Sequence, residues 1–408
     1  MRKNPEALKN SSAVRRRALL AIPLLGVVLF SGCGKDKKKD LAVRSDSSGV
    51  EIIRNTGKYR KIVWAFDTAF IIGGVGDTAF KRVRAHTVAV SPDGHIMVLD
   101  TDLARLDVYD QNGALVKRLE KGNNHLSIPS AVVLHGNEFA VYDVGDWSLV
   151  SFTSDGTYVG KGRAPRQFTD GVLRSDSTAF VLAQRVRDSK TNTPIISIVR
   201  VTAQDTTSII AAAIEDAGQV ALPICGGVTL MLPPIFSGPP AWTAGHGMTA
   251  VAEAPLYGVR LYRGTKEFRR VRRGVEPEES SNQYAVLASE PGKTINSPDG
   301  TTCTIPAVEV ARASGWKEVI PTIGAISIAN DGGLWVQRVD PGHSRPAVDI
   351  IDASGEYVGT LPLKTPWPVG FLPNGNPIAM DEDTAGNTQI IAYRINKNPA
   401  PVRKVAKN

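Results

Sequence analysis

VSPDGHIMVLDTDLARLDVYDQNGALV (90–116) and LHGNEFAVYDVGDWSLVSFTSDGTYV (134–159) are the stretches whose reading decides the fold. They align without a gap at an offset of 43 residues. Gly94 falls on Asn137, Asp100 on Asp143, Leu106 on Leu149, Tyr109 on Phe152 and Gly113 on Gly156. The DG and GN steps between apolar runs supply the positive-φ residues that tight hairpins require. Short alternating apolar runs flank each step, and a second turn (Asp110–Gly113, Ser154–Gly156) leads into a further run.

Four short strands in about 43 residues make one β-propeller blade. The theme returns near the C-terminus, where Asp331-Gly332 and Asn374-Gly375 are again 43 apart and IIDASGEYVG (350–359) falls on VYDQNGALVK (108–117). Weaker copies surround Asp176 and Gly245-His246-Gly247. Six turn sites result: Gly94, Asn137, Asp176, Gly245, Gly332 and Gly375. The long intervals 176–245 and 245–332, and Ser297–Gly300 as an echo of Ser91–Gly94, leave six to eight blades open from spacing alone.

The chain has 408 residues, 48 basic against 40 acidic, for a formal charge of +8. That excess is local. Residues 1–32 hold six basic side chains and one acid, 34–40 adds four Lys and two Asp, and the tail from 397 adds four more bases. The remaining body, 41–396, carries 34 basic and 37 acidic residues and is nearly neutral. The charge therefore speaks of address rather than of a polyanionic partner. Arg15-Arg16-Arg17 precedes the apolar run Ala18–Phe30, which is shorter than the ~20 residues a membrane span needs and has the flanks of a signal-peptide core.

That run ends in Phe30-Ser31-Gly32-Cys33, which resembles a bacterial lipobox, with Phe where the pattern prefers Leu. The resemblance implies a signal peptide over 1–32, lipidation of Cys33, and a solvated tether over 33–49. Gly34 after the cysteine resembles signals that permit transport to an outer membrane, so the expected address is the cell envelope. Export permits disulfides. Cys225 and Cys303 remain as an even pair, either bridged or two buried thiols.

DSSGVEIIRN (46–55), residues 71–113, the second repeat and ANDGGLWVQ (329–337) together resemble the six-bladed, NHL-like β-propellers of bacterial lipoproteins. The resemblance implies an all-β propeller of six four-stranded antiparallel blades over 50–396, insertions near 204–240 and 265–320, and a basic tail over 397–408. It also implies that WAFDTAF (64–70) pairs with strands after Asn374 to close the ring.

Candidate chemistry is sparse. Gly74–Ala79 mimics a GxGxxA dinucleotide fingerprint, but leads into a strand and hairpin rather than the helix that would bind pyrophosphate. Asp100, Asp102 and Asp107 lack the glycine and terminal glutamate of a calcium loop, so a blade-turn role is expected. The six histidines show no metal-binding spacing; His86 and His246 lie near innermost strands and are the channel candidates. Arg269, Arg270, Arg272 and Arg273 form a basic cluster without the aromatic partners nucleic acid would need, and read as a solvated edge. Residues 224–242, interrupted by prolines and glycines, read as an insertion tucked over a propeller face rather than an exposed partner-binding loop, the alternative.

The expected function is a non-enzymatic binding or scaffolding module, attached to a membrane by its lipid and recognising a protein or glycan. No cofactor is expected. The alternative is a lactonase-like hydrolase or lyase with a metal, calcium or zinc, in the central channel. The anchor has a direct test: Cys33→Ser releases the protein from membranes and abolishes palmitate incorporation, and attachment that survives the substitution sinks the lipobox reading.

Overall fold

The run IMVLD (Ile96–Asp100) has no solvent face. All five residues are buried, with Ile96 and Val98 packed toward one neighbouring blade and Met97 and Leu99 toward the other. A strand covered on both faces reads as a continuous apolar run rather than an alternation. It also forces the repeats to stack face to face. The computed structural model describes residues 42–398, apart from 75–79, 123–124, 165–171, 188–191, 193, 203–206, 216–219, 224–228, 297–301 and 344–345. The leader, Cys33 and the tail beyond Asn398 lie outside the described residues.

The chain begins with three strands that belong to later blades: β1 (Val43–Ser47), β2 (Val50–Asn55) and β3 (Ala65–Gly73). Blade 1 is β4 (Val88–Val90), β5 (Ile96–Asp100), β6 (Arg105–Tyr109) and β7 (Leu115–Leu119). Blade 2 is β8 (Pro129–His135), β9 (Glu138–Asp143), β10 (Ser148–Phe152) and β11 (Tyr158–Arg163). Blade 3 is β12 (Leu173–Ser175), β13 (Phe180–Arg187), β14 (Pro194–Val201) and β15 (Thr207–Glu215). A hairpin, β16 (Val220–Pro223) and β17 (Thr229–Leu232), precedes blade 4, which is β18 (Trp242–Gly245), β19 (Met248–Ala252), β20 (Gly258–Arg263) and β21 (Lys266–Arg273).

Helix α1 (Asn282–Ser289), hairpin β22 (Lys293–Asn296) and β23 (Thr302–Ile305), and helix α2 (Ala307–Ser314) follow. Blade 5 is β24 (Ile323–Ile328), β25 (Leu334–Arg338), β26 (Val348–Ile351) and β27 (Tyr357–Leu361). Blade 6 is β28 (Pro368–Phe371), β29 (Pro377–Glu382), β30 (Thr388–Asn396) and, as its fourth strand, β3. The innermost strands neighbour one another in a closed cycle, β4, β8, β12, β18, β24, β28 and back to β4. The fold is a six-bladed β-propeller. Its core is six apolar layers, one between each pair of adjacent blades.

All six turn sites read from the sequence join the first strand of a blade to its second. The repeated aspartates have a backbone role. Asp100, 1% exposed, accepts from the N–H groups of Lys81 and Arg82 on the segment entering its blade, and from Asp102 and Leu103 on the next turn. Asp143 does the same for Ser127, Ile128 and Gly145. Each carboxylate satisfies buried backbone donors that no strand can reach. Asp107 is spent differently, as a buried acceptor from Tyr109 and Arg118.

WAFDTAF closes the ring as expected: β3 pairs antiparallel with β30, from Ala65 opposite Asn396 to Gly73 opposite Gln389. Three expectations change. Residues 43–49, assigned to a tether, form the first strand and turn of the β1–β2 hairpin, and β2 adds in parallel to the outer strand β21. The insertions are shorter than expected, because 207–215 and 266–273 are outer blade strands rather than excursions. The two insertions are also one lobe. Leu230, Leu232 and Ile295 pack on Cys303, Ile305 and Val310, while Ile235 N–H donates to Gly315 O at 2.9 Å. The segment after residue 228 is thus tucked against the second insertion. Cys303 is buried and disulfide-bonded; Cys225 lies outside the described residues.

The arginine cluster is not a solvated edge. β2 covers it, and acids answer each member: Arg269 with Glu51 at 2.7 Å, Arg270 with Glu267 at 2.8 Å, and Arg272 with Glu253 at 2.9 Å. Arg273 is buried and bonds Asp349 of blade 5 at 2.7 Å, while its guanidinium lies 3.8 Å from the Tyr357 ring centroid. Thr360 donates to the same carboxylate. Removing one member of a buried pair strands the other charge, at a cost of about 3–5 kcal/mol. Arg273→Met is expected to lose that much in urea unfolding, Arg272→Ala under about 1 kcal/mol. A double variant, Arg273→Met with Asp349→Leu, is expected to regain most of the loss.

Candidate functional site

The six first hairpins meet at one mouth. Ser91, Asn137, Ser177, His246, Asn330 and Pro373, one from each blade, line the same cavity, and residues of all six innermost strands form its walls. Its volume is about 570 Å³, within the range of small-molecule sites. Aliphatic residues of the innermost strands lie along it, Val88, Val132, Ile326 and Ile328 among them, with their side chains buried in the layers between blades, and Trp367 and Phe371 join from blade 6. Polar atoms come from Arg174, Ser175, Thr243 and Ser327, and from the turn residues at the rim. Among the described residues, no Asp or Glu lines the cavity.

The geometry of these side chains follows from the turns. His246 and Gly247 both have positive φ, 50° and 77°, as a two-residue hairpin with the right twist demands. A histidine tolerates this conformation better than most residues, so its presence at the tip is in part a backbone requirement. It remains exposed at the rim. On blade 3, Asp176 is 2% exposed and accepts from the N–H groups of Thr178 and Ala179 and from Arg200 Nε at 2.7 Å. That turn fixes the end of β12, and with it Arg174 and Ser175.

The sequence-derived channel candidates separate. His246 lines the cavity from blade 4. His86 sits on a short 3₁₀ turn, Ala85–Thr87, entering blade 1, and only its neighbour Ala85 reaches the lining. Burial pushes the His86 imidazole down to about 4, helped by the positive charges of Arg174 and Arg84. It is therefore neutral at pH 7. The two histidines do not converge on an ion. Among the described residues no three His, Cys, Asp or Glu side chains group as metal ligands. Among the described residues the lining has one imidazole and no carboxylate, which does not fit the oxygen ligands calcium takes or a three-ligand zinc site.

The sequence reading missed three residues. Arg174 contributes the charge in the lining. Ser175 is 3% exposed, with its Oγ 2.9 Å from His135 Nδ1. His135 stacks on Phe180 with centroids 4.3 Å apart, and burial lowers its pKa. The available signal was positional: residues just before the turn sites are among those that reach the mouth, and R-S-D at 174–176 is where an arginine precedes the turn, while Asp93 and Asp331 precede Gly94 and Gly332.

No protein-family model matches the chain, and no curated protein matches it. Solved structures do. The chain is similar to a Bacteroides fragilis protein whose name describes it as exported, with a TM-score of 0.48 and 11% identity over 85% of this chain and 99% of that one. It is similar to streptogramin B lyase, with a TM-score of 0.37 and 11% identity over 82% and 98%. It is similar to regucalcin, a calcium-binding protein of Agrobacterium tumefaciens, with a TM-score of 0.35 and 11% identity over 82% and 96%. These likenesses concern the chain trace and say nothing of ligand or reaction.

The neutral His86 gives a pH dependence of known sign. Between pH 6.5 and about 4 the unfolded chain binds a proton at this imidazole that the folded chain does not. Stability therefore falls on acidification through that window, by about 1–3 kcal/mol for this group. In urea titrations at pH 7 and pH 4.5, His86→Gln is expected to shrink the difference between the two midpoints. An unchanged difference assigns the pH slope to other groups.

Proposed function

We propose that the chain is an exported lipoprotein, anchored through Cys33, whose NHL-like propeller is a non-enzymatic binding module for a protein or glycan partner outside the cytoplasm. The working surface is the face that carries the six hairpins. One observation carries the reading: residues from all six turns converge on one open mouth of mixed polar and apolar lining. A ring of turns on a rigid scaffold suits recognition, because the loops are positioned by strands buried on both faces. The channel-metal hydrolase or lyase is the weaker reading, since among the described residues the lining offers no set of metal ligands. Fold cannot decide between them, as propellers host both kinds of function.

Photo-crosslinking in intact cells tests the surface. A crosslinking residue at Ser177, on the rim, is expected to capture a partner, whereas one at Tyr158, on the outer strand of blade 2, is expected to capture none. Capture from Tyr158 alone moves the working surface to the blade edges. Stoichiometric calcium or zinc in the purified protein, together with turnover of a lactone panel, overturns the non-enzymatic reading.

A further inference from the structure

We infer that the outer rim of blades 4 to 6, along which residues 43–73 run, is a docking surface for an anionic phospholipid bilayer. This rests on the reading of the chain as anchored through Cys33, and adds which side of the folded body turns to the membrane.

Beyond the leader, the charge of the chain is divided in space. Residues 65–396 carry 29 basic and 35 acidic side chains, whereas 34–64 and the tail from 397 together carry 13 basic and four acidic. The fold brings both basic segments to one rim. β1 and β2 extend the sheet of blade 4 beyond β21, residues 60–62 bond Thr360 of blade 5, and β3 begins with Ala65 opposite Asn396, where the tail starts. The acids of this segment are committed: Glu51 holds Arg44 and Arg269, and Asp46 accepts from Gly49 N–H. Asp67, further along β3, lies across from Arg394.

The bases are not committed in this way. Lys61 lies beside Thr360, Lys364 follows β27 by three residues, and Lys397 Nζ sits 5.2 Å from the Trp64 ring centroid. All three are exposed, and among the described residues none makes an ion pair. Exposed apolar groups alternate with them: Tyr59 at 58%, Val63 at 62% and Leu363 at 40%. Aromatic and aliphatic tips between lysines suit a membrane–water interface, where rings lie at head-group level and ammonium groups reach phosphate. A polyanion in water would reward the lysines alone, whereas a bilayer also takes up the apolar tips. The attachment point agrees. Nine residues, 34–42, join Cys33 to β1, a reach of at most about 35 Å. Docking by this rim leaves the six hairpins free for a partner.

Flotation of the unacylated chain without its leader (residues 33–408, Cys33→Ser) with vesicles tests this. Binding is expected to vesicles of mixed phosphatidylglycerol and phosphatidylcholine, to weaken with salt, and to be absent from pure phosphatidylcholine. Lys61→Gln, Lys364→Gln and Lys397→Gln together are expected to lower the affinity at least about ten-fold, in line with a few-fold for each basic group at an anionic surface. Tyr59→Ser with Val63→Ser is expected to lower it about three-fold or more. Lys117→Gln, Lys121→Gln and Arg163→Gln together, on blades 1 and 2, remove the same charge and are expected to change it by less than about two-fold. An environment-sensitive dye on Val63→Cys is expected to shift to the blue on the anionic vesicles, and one on Tyr158→Cys to stay unshifted. Binding untouched by the Lys61, Lys364 and Lys397 substitutions, equal losses from the two charge-matched sets, or a dye shift at Tyr158 alone overturns the proposal, as does binding of dextran sulfate without binding of vesicles. If no vesicle binds while Cys33 of the unaltered chain still incorporates palmitate, the docking surface is wrong and the anchored reading stands.

Discussion

A propeller is a sheet array closed on itself, and here closure rests on the pairing of β3 with β30. Residues about 330 positions apart in sequence meet in one blade, Ala65 opposite Asn396. The entropic cost of such a closure grows slowly, by only about 0.6 kcal/mol for each doubling of the loop. Nine residues of β3 suffice to fasten the first blade to the last. The same N-terminal segment does more than supply one strand. Before reaching blade 6 it lies along blade 5, where Ile62 N–H donates to Thr360 O and Thr360 N–H to Arg60 O. Before that it lies along blade 4 as β2. One strap therefore covers the outer edges of three consecutive blades, which would otherwise present unpaired backbone groups.

The strap explains the buried arginine. Where the chain leaves β2, the carbonyls of Gly57 and Lys58 accept from Arg273, while Asn55 bridges Gly355 O and Tyr357 N–H. Blades 4 and 5 and the strap thus share one polar junction, centred on Arg273 and Asp349. Tyr257 lies inside it, its hydroxyl pKa raised by burial and by the Asp349 charge. The three remaining arginines of the cluster answer Glu51, Glu253 and Glu267, of which Glu51 arrives on the strap itself. A run that looked like a basic surface is the complement of acids brought from other strands.

What was legible in the sequence depended on whether the signal was local. The turns were readable because positive-φ positions favour glycine, met here at Gly94, Gly136, Gly247, Gly332 and Gly375 while blade 3 uses Ser177, and the 43-residue offset tied Asp100 to Asp143. The outer edge was not. β2 is partnered by residues some 220 positions away, and a serine-rich segment with Arg44 and Asp46 has the composition of a tether until Glu51 and Glu356 hold Arg44 in place. The arginine cluster was misread for the same reason: its partners are distant acids. The two insertions gave no hint of fusing, since the Cys303, Ile305 and Val310 cluster takes residues from both sides of blade 4.

The channel residues follow a third pattern. Sequence located the hairpins and therefore the rim, but a rim position has no intrinsic chemistry, and most of the six are neutral. Arg174 is seen to reach the mouth only once the ring is closed. Its placement is then over-determined. Asp176 takes two backbone N–H groups and Arg200, and although burial works against its ionisation, those bonds hold its pKa below the ordinary carboxylate value. The charge at the mouth is thus mounted on a turn whose own charge is already neutralised by Arg200. Asp176 is committed to its turn and to Arg200, which fixes the end of β12 that carries Arg174.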